Sequence, residues 1–247
     1  MLQSLEQKGL FMEITMRPMT LDEAWQCISN CYVMYHRDLK KYGYSCWPFI
    51  PKPMFESFNT PNLSEQEIKL CHDKFVGIYN RNVACLNRFD DIFESYIKPK
   101  LEDAINKFLV PLLPSWNATM PEKLDILCTF GRGASYNRKD EQHAIIDFRM
   151  SRYPDDKNVV LNTLFHEFVH MLIEKPIIQK YKVPQDLKER IVELICYEFI
   201  KAPVRSMFAD SFANAYITPE TIKMDLPGAV EKMMADYNER NLNNNNE

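Results

Sequence analysis

Residues 161–174 read LNTLFHEFVHMLIE, and two regularities overlap within them. Leu161, Leu164, Phe165, Phe168 and Leu172 recur at i, i+3, i+4, i+7 and i+11, the stripe made by one buried face of an α-helix. Asn162, His166, His170 and Glu174 form a second stripe at four-residue steps, turned away from the first. Side chains four apart on a helix lie roughly 5–6 Å apart at Cβ. His166 and His170 can therefore aim both imidazoles at one point. The pattern predicts a helix over residues 156–174, ended cleanly by Pro176.

Two imidazoles at this spacing suit zinc, which accepts nitrogen and oxygen ligands tetrahedrally. Glu167, one step beyond the first histidine, leans beside such an ion and can take a proton from the water it activates. A catalytic zinc normally keeps three protein ligands and one open position. No histidine follows His170, so the third ligand is expected to be a carboxylate. Glu174 shares the helix with both histidines, two turns beyond His166, and cannot easily close a tetrahedron with them. The next helix, expected over residues 184–202, is the better source. Pro184 suits its first turn, and Leu187, Ile191, Leu194, Ile195 and Phe199 mark its core face. Glu189 and Glu193 sit four apart on another face. One of them can bind metal while the other holds a histidine ring N–H; a plain solvated acidic face is the alternative.

His166-Glu167-Phe168-Val169-His170, followed on the next helix by Glu189 and then Glu193, resembles the gluzincin branch of the zincin metallopeptidases. The resemblance covers residues 124–199. It implies an α+β fold, mainly helical, with a small antiparallel sheet packed beside the HExxH helix. It further implies one Zn2+ per chain, held by His166, His170 and Glu189. Glu193 falls where the family carries an acidic residue, usually aspartate, and is also the substitute ligand. Glu167 would be the general base of peptide-bond hydrolysis. By analogy, residues 124–136 could be the sheet edge that grips an extended peptide, with Gly131 and Gly133 giving close approach or simply a turn. The oxyanion needs a further donor. Tyr181, on the connector between the two helices, is the first candidate, followed by His143 and Tyr136. Two other readings stay open: a catalytically inactive zincin-fold binding protein, and a helical protein with a chance motif.

Outside the motif, Thr20-Leu21-Asp22-Glu23 and Ser64-Glu65-Gln66-Glu67 both match the capping box that opens a helix. The first helix should reach about Lys41. The second should bury Ile68, Cys71, Phe75, Ile78, Leu86, Phe89, Phe93 and Tyr96 until Pro99 stops or kinks it. A further helix should turn Leu101, Ile105, Phe108 and Leu112 inward. Residues 42–62 are proline-rich and read as a structured loop. Strands are expected over residues 124–130 and 143–148, with a turn near 137–141. Residues 1–115 read as a helical N-terminal region, 116–240 as the zincin-like catalytic region in one compact unit with it, and 241–247 as a disordered tail.

A net charge of −4 over 247 residues, with scattered Lys and Arg, points to neither nucleic acid nor an anionic membrane as partner. A peptide or protein substrate is the expected partner. No apolar run approaches the roughly 20 residues of a membrane span. Without a signal peptide the expected compartment is the cytoplasm, unless export uses a signal-less route. Seven cysteines, an odd number, argue against a disulfide framework. Cys27 and Cys31, one helical turn apart, read as core packing, with a metal pair as the alternative.

Overall fold

The computed structural model describes residues 12–37, 40, 60–131, 133–138, 140–150, 156–204 and 211–244. The loop expected over residues 42–62 lies outside them except at 60–62. Four strands form one sheet in the order β1-β2-β4-β3, comprising β1 (Glu13–Pro18), β2 (Lys123–Phe130), β3 (Ala134–Arg138) and β4 (His143–Met150). The fold is α+β and mainly helical, as expected, but the sheet is mixed rather than antiparallel. β1 runs parallel to β2 and β2 parallel to β4; only the β3–β4 hairpin is antiparallel. The hairpin turn falls where expected, and the Asp140 carboxylate accepts from the backbone N–H of Gln142 and His143, both at 2.8 Å.

Gly131 and Gly133 explain how β2 can precede β3 in sequence while β4 lies between them. Their φ values of 138° and 80° belong to glycine. Gly131 N–H donates to the Met150 carbonyl at 2.8 Å, and Arg149 N–H donates to the Gly133 carbonyl at 2.9 Å. The two residues thus carry the chain over the end of β4 to its far side. β2 is therefore interior, and β3 alone is the edge beside the motif helix.

Both faces of the sheet are covered. Ile14, Met16, Leu124, Ile126, Cys128, Ala144, Ile146, Phe148 and Met150 join the main core. Leu127 faces a smaller cluster built on α1 (Leu21–Arg37), with Ala24, Cys27, Ile28, Cys31 and Tyr35. Thr20 and Glu23 close the expected capping box on α1, with Thr20 N–H donating to the Glu23 carboxylate at 2.8 Å. Cys27 and Cys31 are buried thiols of this cluster, and the buried Arg149 reaches Cys27 Sγ at 3.8 Å. No disulfide forms among the described cysteines.

Ser64 and Glu67 cap α2 (Glu65–Ile92) as predicted. Its buried stripe holds Cys71, Phe75, Leu86 and Phe89, whereas Ile68 is exposed. Pro99 does not stop the rod. A wide π-helical turn, Phe93–Ile97, precedes it, and Lys98 N–H donates five residues back to the Phe93 carbonyl. The chain continues through α3 (Lys98–Ala104), a second wide turn at Ile105–Leu109, and α4 (Leu113–Trp116). Proline removes an i→i−4 bond and crowds the preceding turn. Widening that turn by one residue gives its ring room, which local periodicity cannot anticipate.

β1 ties the N-terminal residues into the sheet, so the two expected regions share one core. Beyond the motif helices, α7 (Ser211–Asn214), α8 (Pro219–Met224) and α9 (Leu226–Asn244) close the core. Residues 241–244, assigned to the tail, are helical. Trp116 is fully buried and its indole N–H donates to the Ile222 carbonyl at 2.8 Å, pinning α4 to α8. Trp116→Ala is expected to cost about 3–5 kcal/mol in urea unfolding, as for other large aromatic truncations in a core. Among the described residues, no helix is long and apolar enough to cross a membrane.

Candidate metal centre

α5 (Lys157–Ile173) carries the two histidines, and Asp156 caps its start by accepting from Asn158 N–H at 2.8 Å. Every residue from Phe168 to Ile173 is buried. His170 is 2% exposed and its neighbours Val169, Met171 and Ile173 are buried too. The histidine face is turned away from the apolar stripe yet not to solvent, because α6 (Gln185–Ile200) and β3 cover it. Pro176 does not end the helix cleanly either: the chain widens into a π-helical turn over Glu174–Gln179 and runs on.

Glu189 on α6 meets the two histidines. His170 Nε2 lies 3.0 Å from His166 Nε2 and 3.3 Å from Glu189 Oε2, and His166 Nε2 lies 3.4 Å from the same oxygen. Among the described residues this is the one group of His, Cys, Asp and Glu side chains whose donor atoms converge as metal ligands do. Tetrahedral zinc with bonds near 2.0–2.1 Å sets its ligands about 3.3 Å apart. Two nitrogens and one oxygen at 3.0–3.4 Å fit that requirement. The contact between the two ring nitrogens can share only one proton, whereas a cation would satisfy both lone pairs and the carboxylate together.

The charges agree with this. Burial alone would raise the Glu189 carboxyl, but His170 and His166 hold it well below the ordinary carboxylate range. Burial alone would lower the His166 imidazole; the neighbouring Cys196 thiol and Glu189 outweigh it and push it up to about 10. Gln185 adds a hydrogen bond to the other Glu189 oxygen at 2.7 Å. Glu167 is half-buried, and its carboxylate has no hydrogen-bond or ion-pair partner among the described residues. Its charge is one of the influences that raise the adjoining His166 imidazole.

Other expected site residues go elsewhere. Glu193, 4% exposed, does not hold a histidine. Its carboxylate lies 3.5 Å from Arg190 Nη1, and Arg190 also bonds Asn214 at 2.9 Å. The Glu193 side chain turns to a cation on its own helix. Tyr181 is not brought to the cluster: its hydroxyl accepts from Lys180 at 2.9 Å and donates to Glu231 at 3.4 Å. His143 is paired with Asp125 at 2.7 Å. Of the oxyanion candidates only Tyr136 reaches the centre, its ring stacked on His170 at 5.4 Å and 11°. Its hydroxyl donates to Glu174 Oε2 at 2.6 Å. Burial, then that bond and the nearby carboxylates, push the phenol's pKa up, so it stays protonated.

Sequence reasoning missed the cluster of Tyr136, Glu174 and Lys188, and the contact between Cys196 and His166. Cys196 lies seven residues after Glu189, two helical turns on the same face, and that spacing was a usable signal. Lys188 gave none, since it looks like any surface lysine until β3 is placed. No family model, curated protein or solved structure matches this chain.

Proposed function

We propose that the protein is a zinc-dependent metallohydrolase, and more narrowly a peptidase of the gluzincin type. The observation that carries this reading is the convergence of His166, His170 and Glu189 from two helices, with donor atoms 3.0–3.4 Å apart. His166, His170 and Glu189 would hold the ion. Zinc bound there supplies Lewis acidity, polarising a substrate carbonyl and bringing the pKa of a water near neutrality. Glu167 takes the proton of the attacking water and returns it to the leaving amine. β3, the edge strand of the sheet among the described residues, would receive an extended peptide as an added strand. That favours peptides over compact small molecules as substrates. We place the protein in the cytoplasm, where buried cysteines such as Cys27, Cys31 and Cys196 stay as thiols.

The test is metal content by mass spectrometry on protein purified without a metal-affinity step, joined to cleavage of a mixed peptide library. Near one zinc per chain, lost in His166→Ala, is the expected result. A wild-type protein that takes up no zinc after reconstitution would sink the proposal. Zinc should also protect the fold: at 100 times its Kd, bound ligand adds about 2.7 kcal/mol. The melting temperature is therefore expected to fall on chelation and to recover with added zinc.

A further inference from the structure

We infer that Tyr136 positions the His170 imidazole for metal binding and is itself anchored by Glu174 and Lys188. This rests on the metal site proposed above. A ligating histidine ordinarily gives its second ring nitrogen to a carboxylate or carbonyl, and that bond fixes the ring's orientation. His170 lacks it: Nδ1 is buried and has no hydrogen-bond partner among the described residues. The ring is held by its face instead, against the Tyr136 ring at 5.4 Å and an interplanar angle of 11°.

Tyr136 is in turn tied at its far end. Its hydroxyl donates to Glu174 at 2.6 Å, and Lys188 Nζ donates to the phenol oxygen at 3.2 Å while pairing with Glu174 at 3.4 Å. Opposite charges on Glu174 and Lys188 let the group be partly buried without net charge. The anchors come from both ligand-bearing segments. Glu174 is one turn past His170, and Lys188 adjoins Glu189. Tyr136 itself stands on the edge strand, so β3 is registered against the ligands before any peptide arrives. Its hydroxyl is already committed to Glu174 and takes no part in stabilising an oxyanion. Tyr136 is a positioning residue.

The test measures zinc affinity by chelator competition, and the visible spectrum of the cobalt-substituted protein, in wild type, Tyr136→Val and Tyr136→Phe. Valine suits a strand but removes the stacked ring; phenylalanine keeps the ring and loses the anchor. Valine is expected to weaken zinc by about tenfold or more, the scale of other outer partners of ligating histidines, and to change the cobalt d–d bands. Phenylalanine should fall between, about threefold weaker. A folded Tyr136→Val with wild-type zinc affinity and an unchanged cobalt spectrum overturns the inference. If the valine variant does not fold, a phenylalanine variant identical to wild type in both readouts overturns it. No zinc in the wild type would instead remove the metal site itself.

Discussion

Glu167→Gln is expected to lower peptide hydrolysis by about 10²- to 10⁴-fold, the range lost when a positioned general base is removed, while zinc content stays at one per chain. Glutamine has nearly the same shape but cannot take a proton. Glu167 lies outside the converging donor group of His166, His170 and Glu189, so the metal should remain. Its carboxylate ties nothing together among the described residues, so the fold should not change. Initial rates on a cleaved peptide, with metal analysis on the same sample, decide the matter. A glutamine variant with wild-type turnover would assign the proton transfer to another group.

Glu189→Ala and Glu193→Ala are expected to fail in opposite ways. The first removes a donor oxygen that lies 3.3 and 3.4 Å from the two histidine nitrogens. Zinc affinity should drop more than about 100-fold, beyond the usual effect of an outer partner. The second leaves the three donors in place but strips Arg190 of a buried counter-charge. Breaking one side of a buried ion pair costs about 3–5 kcal/mol. Glu193→Ala should therefore bind zinc within a few-fold of wild type and unfold at markedly lower urea. Chelator competition and urea titration on both variants separate the roles. Zinc lost from a folded Glu193→Ala protein would move the third ligand by one helical turn.

Much of the site could be read in the residues because its parts lie on helices. His166 and His170 share a face by the 3.6-residue period. Periodicity puts both Glu189 and Glu193 on the next amphipathic helix, away from Leu187, Ile191 and Ile195, and only the resemblance to the gluzincins favours Glu189 as the ligand. The structure brings these residues to one point. Only nearness in sequence to His170 marks Tyr181 out. The connector instead leads its hydroxyl to Glu231 on α9, fifty residues on. Glu193 lies one turn beyond Glu189 on the same helix, and its carboxylate pairs with Arg190.

What the sequence by itself determined is local: the capping boxes at Thr20 and Ser64, the helical stripes, the strands β2 and β4 but not β3, and the alignment of His166 with His170. These follow from periods of two and 3.6 residues and from hydrogen bonds that close within one turn. Only the tertiary structure decided that the sheet is mixed, that β1 joins β2 across more than a hundred residues, and that Pro99 and Pro176 widen helices rather than ending them. It also decided that Tyr136, from the edge strand, covers His170. Strand order and direction depend on how far the chain travels between strands and what packs on each face. No run of neighbouring residues encodes either, so the partner of His170 became visible only once β3 had been laid beside α5.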